Sequence, residues 1–309
     1  MKFDRMPLSK KESPIDKVVG ATKDVEMGIH KRIDRSVKES VYSRTLLERR
    51  DQEFSAEHID IIAKINVLMP RFLQEYGLEE ALEIDMSRVY IFDGRSKRGA
   101  AGSYGFAKGK LDIGISHQYI DDYTIFAHVF SHETIHAQSF HALETDTSEA
   151  FYDSYRVVSA YDAEKDRMVS TKFRRLGFLC FDNEKGRQTR YFNWLNEAIT
   201  ERLTLAFLEK HTEDIPLPVG RESTWKQRLL MPYVSERLAL DNLIKLLYST
   251  GSYESEDEVF RLFTRAMFNG RLLPIARAIE KIRGKGAFRE LASLKPSLIK
   301  EFLKNKFLY

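Results

Sequence analysis

His132-Glu133-Thr134-Ile135-His136 places two imidazoles four residues apart, with a carboxylate beside the first. On a helix the two histidines stand one turn apart on one face and can ligate a single cation. Glu133 then lies about 100° around the helix from His132, where it can take a proton from water that the cation polarises. The donor types suit zinc, although another divalent ion can occupy a set of two histidines and a carboxylate. A hydrolytic zinc centre needs three protein donors and one open position, so a third ligand must come from elsewhere in the chain.

The neighbouring histidines do not supply it. An extended pattern needs Gly at 139 and His at 142, but those positions hold Ser139 and Ala142. His141 misses that spacing by one residue and His128 stands a turn before His132, so both are expected to be structural or to support a ligand from behind. A better donor lies in Asn193-Trp194-Leu195-Asn196-Glu197-Ala198-Ile199-Thr200-Glu201, a predicted helix with two carboxylates one turn apart. There Glu197 can ligate while Glu201 braces a ligand histidine, accepting its remaining N–H and so holding one tautomer. Without such a task the i,i+4 acidic pair is a mildly unfavourable repulsion.

H-E-x-x-H followed by N-E-A-x-x-D/E resembles the signature of gluzincin metallopeptidases such as the thermolysin-like group. That resemblance implies one zinc ion held by His132, His136 and Glu197, Glu133 as general base, Glu201 as partner of a ligand histidine, and Asn196 in a supporting role. It further implies an α+β, zincin-like, two-lobed catalytic domain acting on peptide or protein substrates. About sixty residues separate His136 from Glu197, a longer connection than in the thermolysin-like group. The layout is also similar to compact bacterial gluzincins of unassigned substrate, with an L-N-E-A-I-T-E helix and a small helical C-terminal lobe. In zincins the strand before the metal helix is typically an exposed edge, which assigns an extended substrate to Leu111, Asp112, Ile113, Gly114 and Ile115. An interior strand with no substrate role is the other reading. For an oxyanion donor from the C-terminal lobe, Tyr233 is the first choice, with Tyr191 and His211 behind it.

The elements that must position these groups follow from pattern. Ile61, Ile62, Ile65, Leu68, Met69, Phe72, Leu73 and Tyr76 recur at helical spacing, with a bend expected at Pro70 and a stop at Gly77. Arg88–Phe92 reads as a strand, 94–105 as a Gly-rich loop, and Lys110–Ser116 as a second strand with alternating apolar residues. Asp121 or Asp122 caps an amphipathic helix over about 123–141 that carries the H-E-x-x-H motif. Lys172–Phe181 and Gln188–Phe192 flank the polar connection Asp182-Asn183-Glu184-Lys185-Gly186, which predicts a β-hairpin. Beyond Asn193 the pattern is mainly helical. The expected organisation is a charged, flexible tail over 1–53, an N-terminal lobe over 54–141 with a small sheet and the metal helix, and a mainly helical C-terminal lobe over 142–309 carrying the hairpin insertion.

Composition narrows the alternatives. The chain has 309 residues, 43% hydrophobic and 31% charged, with a formal net charge of +3 spread without a basic stripe, so nucleic acid is not an expected partner. No apolar run approaches the roughly 18 residues of a membrane span and the first residues lead into no apolar signal core, so a cytoplasmic location is expected. The single cysteine, Cys180, excludes an intrachain disulfide and is expected to be a buried bystander. Oligomeric state is not legible. The competing function is a catalytically inactive or latent zinc-binding interaction protein, against which Glu133 argues because a structural site needs no base.

Overall fold

The computed structural model describes residues 9–10, 17–19, 54–92, 101–107, 110–146, 159–162, 167–184, 187–215 and 233–304. Ser55 begins the first long helix, α1 (Ala56–Gln74), as an N-cap whose side chain accepts from His58 N–H while the His58 ring accepts from Ser55 N–H. Histidine therefore fills the place that a glutamate usually takes in a capping box. Ile61, Ile62, Ile65, Met69, Phe72 and Leu73 are all buried, as their spacing predicts, and the helix continues through Pro70.

The small sheet against which the motif helix packs contains β4 (Val89–Phe92), β5 (Gly102–Ala107) and β6 (Lys110–Ser116) in the order β4-β6-β5. This corrects two expectations. The strand of Leu111, Asp112, Ile113, Gly114 and Ile115 is central: Ile113, Gly114 and Ile115 pair with β4 on one side, and all five pair with β5 on the other. Ile113, Gly114 and Ile115 are paired on both sides, so the strand lies inside the sheet and is not the edge expected to receive a peptide. Among the described residues the edges are β4 and β5, and the first part of β5 was expected as loop because glycines at 102 and 105 weaken a strand pattern.

Asp122 caps α2 (Tyr123–Gln138), accepting from Thr124 N–H at 3.1 Å and Ile125 N–H at 3.2 Å. Every residue from Phe126 to Gln138 is buried. The helix is therefore central rather than amphipathic, enclosed on all sides, and it stops at Ser139, whose hydroxyl donates to His136 O. A larger sheet follows, in the order β11-β10-β9-β7-β2, with β8 (Ser159–Asp162) also on β9. Its members are β2 (Lys17–Val19), β7 (His141–Asp146), β9 (Arg167–Leu176), β10 (Leu179–Glu184) and β11 (Arg187–Tyr191). The expected hairpin is the β10–β11 pair, but the strand read as Lys172–Phe181 breaks at Gly177 into a second hairpin, β9–β10. Cys180 is half-buried on β10 rather than buried.

Of the first 53 residues, two short segments are described and both join sheets. Lys17–Val19 adds to β7, and β1 (Ser9–Lys10) pairs with β3 (Glu80–Ala81). The remainder of the expected tail lies outside the described residues. The C-terminal part is helical: α3 (Asn193–Lys210), α4 (Val234–Tyr248), α5 (Glu256–Asn269), α6 (Leu273–Arg283), α7 (Ala287–Ser293) and α8 (Pro296–Lys304). Buried apolar side chains from Ile61 to Leu303 form one cluster, giving a mixed α+β molecule. No helix among the described residues is long and apolar enough to cross a membrane.

Candidate metal centre

Antiparallel packing of α2 on α3 brings the two sequence motifs together. His132 Nε2 and His136 Nε2 lie 3.0 Å apart, and each is 3.3 Å from Glu197 Oε2. Four donors at tetrahedral corners about 2.0–2.1 Å from an ion are separated by roughly 3.3 Å, so these three atoms form one face of such a shell. The donor set and spacing fit a single divalent cation.

Behind the donors stands a hydrogen-bonded layer. Glu201 is fully buried and serves two histidines: Oε2 meets His132 Nδ1 at 3.1 Å, and Oε1 meets His128 Nε2 at 2.9 Å. His128 thus supports the ligand from behind through a shared carboxylate. On the other ligand, His136 Nδ1 lies near both Asn196 Nδ2 at 3.2 Å and Thr200 Oγ1 at 3.3 Å.

Before any cation binds, burial disfavours charge on His132, but hydrogen bonds to Glu197 and Glu201 outweigh it and raise the imidazole to about 10. Burial likewise opposes charge on Glu201, while its bonds to His128 and His132 lower it to about 2. Glu197 is driven well below the usual carboxylate range; burial opposes this, and the charge of His136 and the bond to His132 overcome it. A raised histidine stabilises the fold fully below its unfolded value of 6.5 and loses that contribution as pH rises through about 10. A lowered carboxylate contributes above 4.5 and loses it as pH falls through about 2. Both shifts express largely one buried His–Glu network and count once. Chelator-treated protein is therefore expected to melt at progressively lower temperature from pH 6.5 to 10. A flat melting profile over that range rules the network's contribution out.

Glu133, on α2, is 9% exposed, and its charge acts on both His132 and Tyr233. The edge strand lies directly on it: a Cβ added at Gly102 would stand 2.6 Å from both Cγ and Oε1 of Glu133. Glycine at 102 is thus what lets β5 approach the carboxylate. Two residues along, on the same face of β5, Tyr104 stacks parallel to His136 with centroids 5.4 Å apart, and to His141 at 6.2 Å.

Tyr233 covers the other ligand. Its ring lies parallel to His132, with centroids 5.4 Å apart and 7° between planes, and the residue is 38% exposed. Burial, followed by the carboxylates of Glu197 and Glu133, raises the phenol well above its usual range, so it is a proton donor. Glu197 acts on the phenol through a hydrogen bond as well as through its charge, so the phenol oxygen lies beside one of the three converging donors. Tyr233 and Phe192 carry the two positive φ values among described non-glycine residues, 53° and 56°, and they begin α4 and α3. Such backbone costs about 1–3 kcal/mol, and it recurs here on the two helices that frame the site.

His132, Glu133, His136, Asn196, Glu197, Glu201 and Tyr233 are thus brought together. Tyr191 and His211 are not: Tyr191 ends β11 opposite Cys180, and His211 follows α3, paired with Asp214 at 2.8 Å and packed on Phe72 and Phe207. Gly102, Tyr104 and Thr200 were not singled out from sequence. Thr200 had a signal, since it stands one turn beyond Asn196 on the ligand helix, whereas Gly102 and Tyr104 lay in a stretch read as loop. Comparison of the chain with protein-family models, curated proteins and solved structures found no match.

Proposed function

We propose that this protein is a zinc-dependent peptidase of the gluzincin kind, in a zincin-like fold. The observation that carries the reading is the convergence of His132, His136 and Glu197 on one point, with the Glu133 carboxylate beside it on the same helix. A zinc ion held there would supply Lewis acidity toward water and a substrate carbonyl. Glu133 accepts a proton from the attacking water and delivers it to the leaving amine nitrogen. Tyr233 donates its phenolic proton in a hydrogen bond to the carbonyl oxygen as negative charge develops there. The outer edge of β5, rather than β6, is the backbone on which an extended substrate adds as a further strand.

Tyr233→Phe is expected to lower kcat by more than tenfold, toward the roughly 10²–10³-fold loss (~2.7 kcal/mol or more) typical of oxyanion donors, with zinc content unchanged. Unchanged turnover would move that donor elsewhere. The reading as a whole is tested by metal analysis of purified protein together with cleavage of a diverse peptide library, with and without chelator. One zinc per chain and chelator-sensitive cleavage support it. Zinc without cleavage favours a binding scaffold, and absence of zinc removes the proposal.

A further inference from the structure

We propose that Thr200 fixes the metal-binding tautomer of His136, and that the β9–β10 turn, acting through Phe178, withholds that task from Asn196. The inference rests on the metal-site reading above and adds positioning residues to it. His136 faces the other two donors through Nε2. A cation held by that nitrogen requires its lone pair, which leaves the ring proton on Nδ1.

Two side chains reach Nδ1, and their chemistry is opposite. Asn196 presents Nδ2 at 3.2 Å, and an amide NH2 group only donates. Thr200 presents Oγ1 at 3.3 Å, and a hydroxyl oxygen accepts. The backbone of the turn dictates which way the amide points, because the N–H of buried Phe178 donates to Asn196 Oδ1 at 2.9 Å. Turning the amide over would set that buried N–H against a second donor and leave it unsatisfied, a cost of about 1–3 kcal/mol.

The turn itself is held in place. Gly177 has φ 59, and a Cβ there would stand 2.6 Å from Asn196 Oδ1. Its N–H donates to Phe140 O at 2.7 Å, while Arg175 donates to Gly177 O at 2.7 Å and to Gly270 O at 2.6 Å. Asn196 is thereby locked with a donor facing a nitrogen that must itself donate. Fully buried Thr200 is left as the acceptor. The two ligand histidines are then braced unequally, His132 by a carboxylate and His136 by a neutral hydroxyl.

The test is zinc affinity of the full chain, measured by competition with a chromophoric chelator and needing no peptide substrate. Thr200→Val keeps the shape and removes the acceptor; it is expected to weaken zinc binding about tenfold, the lower end of outer-layer losses. Thr200→Ser is expected to restore the affinity. Asn196→Asp keeps an oxygen for Phe178 N–H and turns a second oxygen toward His136, so adding it to Thr200→Val is expected to recover zinc binding. Thr200→Val binding as tightly as the wild type, or Thr200→Ser binding as weakly as Thr200→Val, overturns the inference while leaving the metal reading intact. A wild-type chain that binds no zinc removes both.

Discussion

Glu133→Gln is expected to keep one zinc per chain and to lose peptide hydrolysis by about 10²–10⁴-fold, the usual contribution of a positioned general base. The substitution preserves the side chain's shape beside Gly102, where a longer or branched group would meet the backbone of β5. None of the three converging donor atoms belongs to Glu133, so metal content is the internal control. Zinc retained with turnover lost assigns the base. Turnover retained at more than a tenth of wild type would require another group to take the proton, and no other carboxylate of this cluster is free to do so. Glu197 faces both imidazoles and Glu201 is shared between His128 and His132.

Glu197→Ala is expected to weaken zinc binding by more than about 100-fold, beyond the 10–100-fold cost of losing a supporting group. Removing the side chain takes away the one carboxylate donor and leaves only the two imidazole nitrogens, 3.0 Å apart. The same substitution removes a hydrogen-bond partner from His132, so the imidazole's elevation toward about 10 is also expected to shrink. Equilibrium dialysis of the variant against zinc reads the first effect directly. Unchanged zinc stoichiometry and affinity would place the third ligand elsewhere.

The chemistry of this site is local in sequence to an unusual degree. His132, Glu133 and His136 are legible because helical periodicity alone sets them on adjoining faces, and Glu197 and Glu201 are legible for the same reason on a second helix. Tyr233 was a choice among three candidates from sequence, and the stack on His132 is what separates it from Tyr191 and His211. The edge strand was misplaced because strand order is a long-range property. Alternation in Lys110–Ser116 reports a buried face, and nothing in that pattern reports whether the lateral backbone groups are paired. Gly102 and Gly105 hid β5, since glycine reads as loop wherever the neighbouring surface that demands it is not known.

By itself, then, the sequence determined which residue types stand at helical spacing: two imidazoles and a carboxylate on one helix, two carboxylates on another, and the turns and caps that start them. These are consequences of backbone geometry within about ten residues. Only the tertiary structure decided that the two helices cross with Nε2 and Oε2 atoms about 3 Å apart, that β5 lies on Glu133, and that Phe178 orients Asn196. Those contacts join residues up to 65 positions apart, and their positions are set by how the single apolar core closes, which no local pattern encodes.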